Sequence, residues 1–158
     1  MSELEVPDPE ARLAELGHPL PAAPQVAGLY LPAARAGDVV FTSGAIPMRD
    51  GALTMRGKVG ADITIEQAQD AARVAVVNAL ASVAAETGSL RRIMRVIRLT
   101  GYVASAPGFI DQPQVMDAAS QLLVDVFGDP GRSARSSVGV AELPLGAPVE
   151  IELVVLLR

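Results

Sequence analysis

The longest regular pattern in the chain runs from Thr64 to Thr87, where Ile65, Ala68, Ala72, Val76, Leu80 and Val83 recur at helical spacing. Such spacing lines one face of an α-helix. Thr64 and Gln67 make a capping box at its start, and Gly88 stands where a left-handed residue closes a helix. Glu66, Asp70, Arg73 and Glu86 fall mainly on the outer face, so the Ala/Val stripe is read as a core face against a sheet. A second helix is predicted from about Pro113 to Phe127, with Val115, Ala119, Leu122, Leu123 and Val126 on one side and Gly128 at its end. A short helix is predicted from about Pro9 to Leu16, with Asp8 as cap, Pro9 in the first turn and Gly17 after the last.

Elsewhere the pattern has the shorter period of strands. Between Ser133 and Leu157 two β-branched runs flank a Pro/Gly turn at about Pro144 to Pro148, which reads as a terminal antiparallel hairpin. On the first run Arg135 shares a face with Ser137, Gly139 and Ala141, while Ala134, Val138 and Val140 point the other way. On the second, Val149, Ile151, Leu153 and Val155 form an apolar face opposite Glu150 and Glu152. In such a hairpin Glu150 lies opposite Ala141 or Glu142, roughly 20 Å along the sheet from Arg135 at ~3.3 Å per residue. Three more strands are predicted: Gln25 to Leu31, Asp38 to Ser43, and Ile93 to Val103 with a bend or bulge at Gly101. Pro32 to Gly37 is read as the first connection and Arg49-Asp50-Gly51 as a turn. The order β-β-α-β-α-β-β, with both helices able to cover one sheet face, predicts a two-layer α+β sandwich. Residues 25–158 form its single domain, preceded by the short helix and a Pro/Ala arm in residues 1–24.

Half of the 158 residues are apolar, enough for one sizeable core, and only 3% are aromatic, so that core is built from small aliphatic side chains. A net charge of −5 argues against an electrostatic grip on nucleic acid. The Arg91, Arg92, Arg95 and Arg98 cluster is expected as a solvated strand edge. Without cysteine there is no disulfide or thiolate chemistry, and a single histidine, His18 in a loop, excludes a multi-histidine metal site and disfavours a serine-hydrolase triad. No phosphate-cradling glycine loop is present. The N-terminus is acidic where a signal peptide would start basic, and no apolar run reaches the ~18 residues of a membrane span. A soluble, cytoplasmic protein without metal or cofactor is expected.

What remains for chemistry is a long cation over small residues and a pair of carboxylates. A fixed guanidinium could hold a small anion while a carboxylate activates water, which fits hydrolysis of an already reactive substrate. On spacing alone, Arg135, Glu150 and Glu152 equally describe solvated residues of a sheet.

Longer motifs narrow the choice. Ala134-Arg135-Ser136-Ser137-Val138, Val140-Ala141, Leu143-Pro144 and Val149-Glu150-Ile151-Glu152 together resemble the C-terminal signature of the RidA family, also called the YjgF family. Ser43-Gly44-Ala45-Ile46-Pro47 resembles its ligand-side loop, with Ala45 where many members carry glutamine. Gly57 to Asp62 and Ala104 to Phe109 are similar to a bacterial branch of it. The resemblance covers roughly Val26 to Leu157. It implies a chorismate-mutase-like fold, a homotrimer with ligand clefts between subunits, and hydrolysis of 2-imino/2-enamino acids such as 2-aminoacrylate to 2-keto acids and ammonia.

By the same resemblance, Arg135 binds the substrate carboxylate and Glu150 is the acid associated with the attacking water. Ser137 replaces the cysteine of many members and acts through its backbone carbonyl. Tyr30, Ser43 and Gly44 line the ligand. Asp117 stands where some members have asparagine, and its charge would oppose a carboxylate ligand. Non-catalytic binding of small carboxylated metabolites is the alternative function, and ribonuclease action, attached to the family's older name, is disfavoured by the acidic charge. The ~20 Å separation further requires Arg135 and Glu150 to come from different subunits if both serve one site.

Overall fold

Helices form where the capping residues announce them. In the computed structural model, which describes residues 8–158, α1 spans Pro9–Glu15, with the Asp8 side chain accepting from the Glu10 N–H. Helix α2 spans Ile65–Thr87, with the full Thr64/Gln67 capping box and Gly88 in the left-handed region at its end. Helix α3 spans Gln112–Phe127 and stops at Gly128. Residues 1–7, part of the predicted N-terminal segment, lie outside the described residues. Leu13 of α1 is fully buried in the same core as the rest of the chain. No helix among the described residues is long and apolar enough to cross a membrane.

The strands are β1 (Ala33–Ala36), β2 (Val39–Thr42), the short β3 (Met48–Arg49) and β4 (Ala52–Leu53), β5 (Ile93–Ala104), β6 (Ala134–Val140) and β7 (Val149–Leu157). Five make the main sheet, in the order β1-β2-β7-β5-β6. All neighbours are antiparallel except β5 and β6, which run parallel. One face, carrying Val40, Val96, Leu99, Val103, Ile151, Leu153 and Val155, packs under α2 and α3 and is fully buried. The result is the expected α+β sandwich. The many alanines of α2, among them Ala68, Ala72, Ala75 and Ala79, are sealed from solvent and let it lie close on the sheet.

Four details differ from the sequence reading. The terminal hairpin does not form: β5 lies between β6 and β7 and pairs with both. Alternation sets which face a strand buries and is silent about its neighbour; α3 supplies the crossover that a parallel β5–β6 pair requires. The first strand is Ala33–Ala36 in place of Gln25 to Leu31, because Gly37, at φ +59°, closes a two-residue hairpin loop onto β2. Gly101 makes no bulge; the irregularities of β5 fall near Met94 and Ile97, and Gly101 leaves room for the Met116 thioether. The arginine cluster is exposed, yet β5 is an interior strand and no edge.

Candidate active site

The predicted residues gather into two groups, one on each face of the sheet. Arg135 sits on β6 level with Leu99 and, beyond it, Leu153, all pointing to the helix side. There Arg135 meets α3: its Nη1 donates to Asp117 Oδ1 at 2.9 Å and to Ser120 Oγ at 3.1 Å. Asp117 and Ser120 are three residues apart and therefore share a helix face. Both Nη1 protons are thus engaged. Nε and Nη2, the side-on edge that takes a carboxylate in two parallel bonds, make no hydrogen bond to any described residue.

Two residues further along the same face lies Ser137, whose Oγ is buried and has no hydrogen-bond partner among the described residues. Gly139 follows, with Gln112 and Ser105 in the space its side chain would fill. Gln112 donates to Ser105 Oγ at 3.2 Å and to the Phe109 carbonyl at 2.9 Å. An open cavity of about 710 Å³ borders Arg135, Asp117 and Ser120.

Glu150 starts β7 on the uncovered face. The β2–β7 pairing slips by one residue between Phe41–Val154 and Ala45–Ile151, and the slip falls on Ser43-Gly44. Such bulges re-aim side chains at strand ends. A β-carbon on residue 44 would fall on the Glu150 carboxylate, so any larger residue here would push that side chain out of its observed position. Burial, then the neighbouring Glu152, raises the Glu150 pKa above its ordinary value. Tyr102, which the sequence reading passed over, pairs with Glu150 across β5–β7 and donates its hydroxyl to Glu152 Oε1 at 3.1 Å. Ser43 spends its hydroxyl on the Leu31 carbonyl. That bond secures the end of Leu29-Tyr30-Leu31, which project into solvent. Tyr30 is therefore more than half exposed and projects away from the core of its own chain.

Within one chain the two groups do not meet. Arg135 and Glu150 are offset by three residues and two strands, roughly 14 Å at ~3.3 Å per residue and ~4.8 Å per strand, and they project from opposite faces. The expected ~20 Å rested on a hairpin that does not form. The separation itself remains, for a different reason.

The sequence profile of the family described as "YjgF/chorismate_mutase-like, putative endoribonuclease" matches residues 10–157. The chain belongs to the YjgF (RidA) family. The match takes in α1, which the motifs alone had left out. Among solved structures, the protein Atu1372 of Agrobacterium tumefaciens, of unknown function, is 44% identical over 95% of this chain and 92% of that one, with a TM-score of 0.89. A protein of Shewanella oneidensis described as a "putative endoribonuclease" is 34% identical over 95% and 99% of the two chains, with a TM-score of 0.91. The 2-iminobutanoate/2-iminopropanoate deaminase of the mite Dermatophagoides farinae is 32% identical over 87% of this chain and 93% of the mite protein. These relatives lend no support to the exclusion of nucleic acid drawn from net charge.

Proposed function

We propose that this YjgF-family chain hydrolyses 2-imino and 2-enamino acids to 2-keto acids and ammonia, in clefts where Arg135 of one copy faces Glu150 of the next. The observation that carries the proposal is the division of the site. One sheet face holds a guanidinium anchored through Nη1, with its carboxylate-binding edge unbonded among the described residues. The other holds a half-buried carboxylate whose pKa is raised toward the neutral range where a general base works best. Each half is incomplete alone. The uncovered sheet face also exposes Phe41, Met94, Ile97 and Val138, the apolar surface that a second and third copy would cover. The mite deaminase supports the chemistry.

In this reading Arg135 receives the substrate carboxylate through Nε and Nη2. An enamine such as 2-aminoacrylate first takes a proton at its methylene carbon to become the iminium. Glu150 removes a proton from water as the oxygen bonds to the iminium carbon, giving a carbinolamine. The same carboxyl returns that proton to nitrogen. The carbon–nitrogen bond then breaks as the Glu150 carboxylate takes the hydroxyl proton, ammonia leaves, the keto acid remains, and that proton returns to solvent to balance the one taken up at the methylene carbon. Ser43, Gly44 and the backbone at Ser137 wall the cleft, with Tyr30 reaching it from the exposed loop.

Arg135→Ala is expected to lose about 100-fold or more of the acceleration of ammonia release from 2-iminopropanoate, from the lost charge-assisted contact and the misplaced substrate together. Imines generated in the assay by an amino-acid oxidase supply the substrate, and parent and variant are compared directly. Equal rates would contradict the proposal. A second reading, binding without turnover, is favoured by one observation: Arg135 is already paired with Asp117. Saturable keto-acid binding by a parent that releases ammonia at the uncatalysed rate would establish it.

A further inference from the structure

Resting on the carboxylate-binding role given to Arg135, we infer that Asp117 sets the charge class of the substrate. The site takes 2-imino acids with a single carboxylate, favours a cationic side chain and disfavours a second acid group. Asp117 Oδ1 lies 2.9 Å from Arg135 Nη1, and the Arg135 side chain is 24% exposed against 65% for Asp117. The guanidinium thus keeps a directional fork on its free edge while its net charge is cancelled. A substrate carboxylate gains its two hydrogen bonds there, but the pair offers no surplus positive field to a second carboxylate.

The other residues that this copy brings to the cavity offer none either. Arg132, the other cation bordering the cavity, is answered by Asp129, with Nη1 and Oδ1 3.7 Å apart. Arg135, Arg132, Asp117 and Asp129 together sum to zero. A dicarboxylate would set its distal acid against Asp117 or Asp129 without a spare partner. A guanidinium or ammonium at the end of the substrate side chain could instead reach the carboxylate of Asp117, whose side chain is 65% exposed. A unit charge about 6 Å away at a wet surface changes affinity by about fivefold.

Asp117→Asn separates this role from mere support. The amide oxygen still accepts from Nη1 and Ser120 stays in place, so the arginine remains held while the charge is gone. Parent and variant are assayed for kcat/KM on imines made in the assay from alanine, glutamate and arginine. The parent is expected to prefer the arginine-derived imine and to be poorest on the glutamate-derived one. In the variant the glutamate-to-alanine ratio should rise about fivefold and the arginine-to-alanine ratio fall about fivefold, with both changes shrinking in added salt. Ratios unchanged within about twofold, or equal loss on all three substrates, would overturn the inference. If the parent hydrolyses none of them, the hydrolase reading fails by itself. The same ratios are then read as Kd for pyruvate, 2-oxoglutarate and 2-oxo-5-guanidinopentanoate by calorimetry: shifted ratios support the inference, unmoved ratios overturn it, and no binding of any of the three overturns both.

Discussion

The Glu150 carboxylate occupies the space that a β-carbon at position 44 would need, so a larger residue there would displace the carboxylate from its place; the φ of Gly44 lies outside the left-handed region. Neither residue says this alone: the Ser-Gly step reads equally as an ordinary strand-ending turn. On the uncovered face Glu150 is accompanied by Glu152, and its raised pKa comes from burial first and from Glu152 second. Glu152 also receives the Tyr102 hydroxyl, whose own pKa burial and then Glu152 push up. A negative neighbour makes ionising Glu150 costlier, so removing that charge must lower its pKa. If Glu150 acts as the base, Glu152→Gln moves the acid limb of the kcat/KM profile to lower pH. The measurement is a pH–rate profile of parent and variant; a limb that stays in place or moves upward contradicts the assignment.

At the scale of elements, α1 and α2 were legible because capping side chains mark their starts, and α3 because of its apolar spacing and the glycine at its end. Asp8 and Thr64 cap with hydrogen bonds the structure contains, and Gly88 and Gly128 stop the chain where expected. The faces of β6 and β7 were legible for the same local reason, since burial alternates along β7 as its apolar and acidic residues do. Partner choice was not legible: β7 pairs along nearly all of β5, and no residue of β6 or β7 announces that a third strand intervenes. The β1–β2 hairpin did carry a signal, the Gly37-Asp38 turn, outweighed by the apolar Leu29 and Leu31, which turn out to be exposed. Between α3 and β6 the chain doubles back so closely that a β-carbon on Gly131 would strike the Leu123 carbonyl. Backbone cannot yield as a flexible side chain does, so Gly131→Ala is expected to destabilise the fold by about 1–3 kcal/mol. Urea unfolding checks this, and a variant as stable as the parent would show that the α3–β6 joint tolerates the added carbon.

On the scale of the whole molecule, the sheet acts as a partition. It sets Arg135 beside α3 and Glu150 on the bare face, and no single copy brings them to one small substrate. In the proposed arrangement, a ring of copies joined head to tail would place the Arg135 side of each against the Glu150 side of the next. The same arrangement would cover Phe41, Met94, Ile97 and Val138, which leave apolar surface exposed in the single chain. The most direct test of this account is subunit complementation. Arg135→Ala and Glu150→Ala chains, each inactive alone, are co-refolded in equal amounts and the mixed assembly is verified. Random mixing leaves both residues intact at about a quarter of the interfaces in a closed ring, so the account predicts recovery of about a quarter of parental ammonia release. Verified hybrids with no recovery, or a parental monomer with full activity in sedimentation, would contradict it.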